Sequence, residues 1–494
     1  MRVRVVPTAS GKKAIQVVSK KYGRLTVHKH IGTYDTNEEK KQLLGKARDF
    51  ITQTTGQMSL LDVLSTFRPQ EVEISEQYRT FLYQLLSRVY DKLGFGNYPD
   101  LLIKDLVIAR VFAPSSKRET REVLAEDFGK NWRLLTIYRH LKIAIETGLK
   151  DTFQKALVDF ARDGFEDNLR LVFYDVTTLY FESNLKTELK DFGFSKDHRP
   201  QDTQIVIGLV VNRDGFPLYF DVFSGKTFEG HTFIPIIKNI KSLLQTEELV
   251  VIADAAMISK DNIEKLDAEG IGFVVGARLG NLPSHLIDSI SLSLSATNGK
   301  TITETYHTHR LICQYSLKRA AKDKSDRLKQ LEKAQTAISN PARITQRFRF
   351  VKTEGRKPSL NITLLTKAEK LEGIKGYLTN TDLPDQTIID RYHDLWRIEN
   401  SFRITKSDLE ARPIFHRLDE TIKAHLVIVF AGLAITKYIE LKSNMSIHKA
   451  LKLAGKVLTQ KVVNTATGET AIVETTIKDS ILKEKIELLK SLGH

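Results

Sequence analysis

A change of hydropathic grammar at residue 169 constrains this chain more than any other feature. From residue 75 to about 165 apolar positions recur at helical spacing; beyond 169 they come in short β-branched and aromatic runs. "LRLVFYDVTTLYFES" reads as a strand, and "TQIVIGLVVNRDGFPLYFDVFSG" as two strands joined through Asp214-Gly215, a dipeptide that favours tight hairpins. Helical "FIPIIKNIKSLL", the buried strand "ELVVIADAAM", a capped helix "SKDNIEKLDAEG" ending at Gly270 and the strand "GFVVGARL" follow. Three strands, helix, strand, helix, strand spell a mixed α/β sheet.

The rest of the chain is organised around that sheet. Its first part covers 169–280. Between 281 and 368 the pattern lapses into short alternating runs such as "KTITETYHTHRLICQYSL" and a charged surface helix, Leu317 to Ser339, which together read as an inserted subdomain. The sheet pattern resumes over 369–440 with "YLTNTDLPDQTIIDRYHDLWRIENSFRITK", where Asp382, Pro384 and Asp385 mark a helix start. The apolar run Leu426 to Ile435 is too short for a bilayer core, which needs about 20 residues, and reads as a buried helix flanked by two structural histidines, His416 and His425. Residues 441–494 offer no legible chemistry and are expected at most to support dimerisation.

Charge adds a partner class. At 494 residues the chain should divide into two to four domains. It carries 75 Lys and Arg against 60 Asp and Glu, a net charge of +15. The excess clusters: no carboxylate precedes Asp35, while Arg2, Arg4, Lys12, Lys13, Lys20, Lys21, Arg24 and Lys29 all do. Clustered cations are the footprint of polyanion binding. Residues 1–55 therefore read as a small basic β/α module, with Gly23 between two strands, that either docks on DNA or is a solvated sheet. Residues 70–165 read as a helical DNA-binding region, in which Ser116 and Glu119 form a capping box and Gly129 turns the chain into "RLLTIYRHLKIAI". That turn is longer than in most helix-turn-helix units, so a plain helical bundle stays open beside a major-groove reader. The single Cys313 excludes an intramolecular disulfide, supports no cysteine-based metal site and fits a reducing cytosol. The opening "MRVRVVPTASGKKAIQVV" has no apolar core of a secretory signal.

Three acids stand out by context. Asp175 interrupts an apolar strand, Asp254 ends another at the edge where α/β sheets hold ligands, and Glu399 lies on an apolar helix expected to bury Trp396 and Phe402. Each alone is also a cap or turn residue in the making. On that helix Tyr392, Glu399 and Lys406 fall seven residues apart, on one stripe if the helix is straight, since it drifts only about 20° per heptad. Carboxylates brought together repel, and divalent cations reverse the repulsion. Oxygen-only donors select Mg2+ or Mn2+, and two such ions suit phosphoryl transfer. Tyr392 and Lys406 are then free to hold phosphates.

The order strand-Asp, strand-Asp, insertion, helix-Glu resembles the ribonuclease-H-like DDE transposases of bacterial insertion sequences. The closing helix is similar to their Tyr-x2-Arg-x3-Glu-x6-Lys signature, with Tyr392, Glu399 and Lys406 in register and "WRIEN" typical of the family; "YDVTTLYFES", "GLVVNRDGFPLYFDVFSG" and "SFRITKSDLEARPIFH" support it. Leu395 departs from it by standing where the signature has Arg, so either Arg397 or Arg403 supplies that cation or a phosphate contact is missing. The resemblance implies an α/β ribonuclease-H-like core and two Mg2+ ions, with Mn2+ as substitute, held by Asp175, Asp254 and Glu399. It further implies cut-and-paste cleavage and strand transfer at the terminal inverted repeats of the chain's own element. Double-stranded DNA is the partner, a homodimer bridges two ends, and the setting is the cytoplasmic nucleoid. In "SKDHRP", Lys196 and Arg199 are either loop cations near DNA or solvated. A nuclease lacking strand transfer and a catalytically decayed DNA-binding repressor are the rival readings.

Overall fold

The computed structural model describes residues 1–8, 11–21, 24–55, 72–164, 169–194, 201–257, 259–339, 348–354, 357–412, 414, 416–465, 468–477 and 479–492. Two compact units divide the chain: Met1–Leu82 with Ala454–Lys483, and Tyr83–Leu453 with Glu484–His494.

In the smaller unit, β1 (Arg2–Pro7), β2 (Lys13–Lys21) and β3 (Arg24–Tyr34) form an antiparallel sheet packed on the helix Asn37–Thr55. Ile15, Val17, Tyr34 and Ala47 make its small core, while Arg2, Arg4, Lys12, Lys13 and Lys29 are exposed. Gly23, expected to turn the hairpin, lies outside the described residues. A second sheet joins β4 (Val72–Tyr78) to β15 (Thr459–Asn464) and β16 (Thr470–Glu474). The expected helical period from residue 75 is therefore corrected at its start. β4 is exposed from Glu73 to Gln77, and its partner lies almost 400 residues later, beyond any local signal.

The larger unit is built on an eight-stranded mixed sheet. Its first strand in chain order is β5 (Leu171–Tyr180), antiparallel to β6 (Gln204–Asn212), which pairs in turn with β7 (Pro217–Ser224). On its other side β5 runs parallel to β8 (Val250–Ala253), and β8 parallel to β9 (Gly272–Ala277). The order β7-β6-β5-β8-β9, with the first strand in the middle, is that of a ribonuclease-H-like core. The β6–β7 turn closes where Asn212 Oδ1 accepts from the N–H groups of Asp214 and Phe216, both at 2.9 Å, and Gly215 takes φ +77°. That conformation suits glycine.

Beyond β9 the sheet continues antiparallel through β14 (Ile374–Thr379), β11 (His309–Tyr315) and β10 (Thr301–Tyr306). This corrects the inserted subdomain expected over 281–368. Its first two strands belong to the main sheet and the helix Ser284–Leu294 packs against them, while the helix Leu317–Ser339, the hairpin of β12 (Val351–Glu354) and β13 (Lys357–Leu360), and the helix Ile362–Lys370 lie outside the sheet. β10 is an edge strand with one wet face, so its alternation imitates a separate antiparallel module.

The core helix is Asp419–Ser443. It packs against the helices Leu101–Phe112, Leu134–Glu146 and Leu149–Gly164 and against β7. Every residue from Ala424 to Ile439 is buried, as expected for a helix apolar all round. Its length and composition match a membrane span, yet 94% of its apolar window is buried within the protein.

Candidate active site

Asp175 and Asp254 are brought together by sheet register. Tyr174 pairs with Ala253 across the parallel β5–β8 step, so the next residue on each strand is one of the two acids. Adjacent strands run about 4.8 Å apart. Alternation sends Tyr174 to the opposite face, where its hydroxyl meets Thr232 Oγ1 at 2.6 Å. A Cβ on Gly208 would lie 2.9 Å from that hydroxyl, so the glycine makes room for it.

Glu399 arrives from the helix Trp396–Arg403, which packs against β5 and β6. The β6–β7 turn anchors this helix: Ser401 Oγ donates to Gly215 O at 3.2 Å, and a Cβ on Gly215 would meet Arg397 Cβ at 3.4 Å. Asp175, Asp254 and Glu399 all wall one cavity of about 290 Å³.

Tyr392 and Lys375 complete the wall. The Tyr392 hydroxyl donates to Asp254 Oδ1 at 3.0 Å, while the same oxygen accepts the Ala255 N–H at 2.7 Å. Room for the phenol comes from Gly276 on β9, where a Cβ would stand 2.5 Å from the hydroxyl oxygen. Burial and the neighbouring Asp254 charge push the phenol far above its ordinary pKa, keeping it a hydrogen-bond donor. The Lys375 ammonium lies 4.4 Å from the centre of the Tyr392 ring. Burial and then Arg319 lower its pKa, against the opposing pull of Asp254 and Glu399. Lys375 is a site residue that sequence reasoning missed. Its one signal is a lysine inside the apolar strand "IKGYLT". A larger cleft of about 610 Å³ shares Asp254, Lys375 and Tyr392 and reaches Arg319, Arg327 and Arg349 of the inserted segment.

The straight stripe from Tyr392 to Lys406 is corrected. One helix ends at His393, a turn at Asp394 and Leu395 intervenes, Trp396–Arg403 follows, and Ile404–Asp408 is a π-helix. A heptad argument holds only along an unbroken α-helix, and π-segments are frequent at functional sites. Lys406 lies in the π-segment and does not line the cavity. Trp396, expected to be buried, is 55% exposed on the cavity lip; Phe402 is buried as expected.

Leu395, in place of the signature Arg, is buried on the cavity wall. Neither alternative cation lines that cavity: Arg397 Nε pairs with Asp394 at 3.3 Å, and Arg403 bonds Asn400 Oδ1 at 3.1 and 3.2 Å. Lys196 and Arg199 lie outside the described residues.

Among the described residues, no three His, Cys, Asp or Glu side chains stand close enough together to hold a metal ion. Carboxylates repel one another, and a cation bound among them would offset that repulsion. Two acids in adjacent register and a third on the same wall nevertheless supply hard oxygen donors of the kind that suits Mg2+ or Mn2+.

No curated protein matches the chain. Among solved structures, a piggyBac transposase synaptic complex with hairpin DNA, determined by cryo-EM, is similar at TM-score 0.38 and 10% identity, over 82% of this chain and 71% of that one. Nothing further is taken from so low a likeness. The family model of the transposase DDE domain matches residues 168–435, a span that holds all three acids and more than half of the 494 residues. The chain belongs to the DDE transposase family.

Proposed function

We propose that this chain is an active transposase that cleaves and rejoins DNA at the terminal inverted repeats of its own insertion sequence by a cut-and-paste route. One observation carries the reading: Asp175, Asp254 and Glu399, from two strands and a helix, wall a single cavity. Those three side chains would hold two Mg2+ ions, with Mn2+ as substitute, and such a pair lends charge stabilisation to the attacking and leaving oxygens of an in-line displacement.

The chain's own groups set the rest. Tyr392 fixes one oxygen of Asp254 through its hydroxyl, so that carboxylate does not rotate freely. Lys375, beside Asp254 and Glu399, is placed to contact a non-bridging phosphate oxygen, whose charge grows in the transition state. In the first step a water oxygen displaces the leaving strand at phosphorus and frees a 3′-hydroxyl at the element's end. In the second, that hydroxyl attacks a target phosphodiester and releases a target 3′-hydroxyl. Both are displacements at phosphorus, so one cavity serves both.

Partners follow from the same reading: double-stranded DNA, as transposon ends and as target, held by a homodimer that bridges two ends in the cytoplasmic nucleoid. Lys406, Arg397 and Arg403 are proposed as contacts to DNA outside the cavity, and Lys196 and Arg199 as further DNA contacts. Incubation of purified protein with end DNA and Mg2+ tests the function. The expected product is a nick at the terminus, followed by joining of pre-cleaved ends to a target. A nick without joining leaves a nuclease, and binding without a nick leaves a repressor.

A further inference from the structure

A second cavity, of about 510 Å³, lies in the larger unit beneath the turn at Pro114. It is lined by cations from three separate stretches: Arg110 from the helix Leu101–Phe112, Lys117 at the start of the helix Lys117–Phe128, and His416 and His425 at the entry to the core helix. Arg110, Lys117 and His425 are each at most 5% exposed. The carboxylates on its walls, Glu119 and Glu410, are solvent-exposed. The deeply buried titratable groups are all basic, exposed Arg118 and the two acids lie at the surface, and the charge of Glu410 acts on Arg110.

Burial of charge in this manner is costly without a counter-charge. Arg110 has partial relief, donating to Ser115 O at 2.8 Å and Leu409 O at 3.5 Å. Lys117 makes no hydrogen bond or ion pair among the described residues. His425 approaches Ala411 O through Nε2, at 3.4 Å, and leaves Nδ1 buried with no hydrogen-bond partner among the described residues. The helix start at Lys117, capped by Ser116 Oγ on the Glu119 N–H, adds its positive end to the same wall.

We propose that this pocket binds a phosphate group, with Arg110 and Lys117 as its basic contacts and His425 as a hydrogen-bonding one. The proposal is independent of the chemistry assigned to Asp175, Asp254 and Glu399. Supporting it, burial and the mutual repulsion of these cations lower His416 to about 3 and push His425 and Lys117 well below their ordinary values. A ligand anion would relieve that repulsion. The cavity volume falls within the range usual for small-ligand sites, roughly 300–1,000 Å³. The phosphate belongs either to a DNA end or to a free anion, and the chemistry of recognition is shared.

The test uses the full chain and inorganic phosphate. Phosphate is expected to raise the melting temperature beyond what chloride does at equal ionic strength, because a ligand of the folded state stabilises it. Lys117→Met, apolar and similar in length, is expected to raise the melting temperature of the phosphate-free protein and to weaken phosphate by roughly tenfold or more, the effect of losing a charge-assisted contact. His425→Leu serves as the second variant and is expected to weaken phosphate likewise, whatever Lys117→Met does to folding. A duplex oligonucleotide with 5′-phosphate that competes with inorganic phosphate, where its 5′-hydroxyl counterpart does not, assigns the group to a DNA end; phosphate binding with no such competition assigns it to a free anion. No phosphate-specific rise in the parent protein, or an undiminished rise in both variants, overturns the proposal.

Discussion

The Tyr392 hydroxyl donates a 3.0 Å hydrogen bond to Asp254 Oδ1, tying the helix before Glu399 to the end of a core strand 138 residues earlier. That single bond ties the strand end that carries Asp254 to the helix just before the one that carries Glu399.

Tyr392→Phe keeps the ring and removes only the donor. The stability cost is expected to be about 1 kcal/mol, read by denaturant unfolding. DNA-end cleavage should fall by roughly tenfold, because Asp254 is freed to rotate and each tenfold corresponds to about 1.4 kcal/mol of barrier. An unchanged rate would remove Tyr392 from the positioning of Asp254.

Gly276→Ala places a methyl 2.5 Å from the Tyr392 hydroxyl oxygen, so the phenol must move. Cleavage should fall at least as far as in Tyr392→Phe. The double variant should be no worse than Gly276→Ala alone, since neighbouring residues couple. Additive losses in the cycle would show that Gly276 acts through something other than the phenol.

His416 titrates near 3 in the folded chain against an ordinary value near 6.5, because it is buried beside Lys117 and Arg110. Its folded pKa is depressed, so the unfolded chain binds the extra proton as pH falls. Its contribution to stability is therefore full above about 6.5 and is lost progressively toward pH 3. His416→Gln should make the acid limb of the stability profile shallower than in the parent, measured by unfolding across that window. Superimposable acid limbs would contradict the assignment.

Ile428 sits fully buried on the core helix. Ile428→Ala is expected to cost about 2–5 kcal/mol, measured by denaturant unfolding, and to lower cleavage only through the loss of folded protein. The helix packs on β7 and the preceding helices and contributes no wall to the acidic cavity.

How far the sequence reaches can be judged residue by residue. Strands β5 to β9 were legible because buried strands are nearly continuous apolar runs, and Asp214-Gly215 marked its own turn. Asp175 and Asp254 stood out as charges where such runs exclude them. Lys375 escaped notice because a lysine in a strand ordinarily signals an exposed edge, whereas here β14 lies between β9 and β11 and the ammonium faces the acids. The partnership of β4 with β15 has no local trace. Trp396 and the stripe through Lys406 were misjudged for one reason: helical periodicity carries no sign of the turn at Asp394 or of the π-segment at Ile404. The cations around Lys117 are unremarkable one by one, and only tertiary folding sets Arg110, His416 and His425 about one space.

Cleavage of end DNA by Glu399→Gln, beside the parent protein and at matched DNA binding, probes the shared work of the three carboxylates most directly. The substitution keeps size and removes one charge from the cavity. Loss of a metal-holding carboxylate should cost about 4 kcal/mol of barrier or more, a fall of roughly a thousandfold, while binding to the ends survives. Cleavage at the parental rate would mean that Glu399 lines the cavity without serving it, and the catalytic reading of the site would fall.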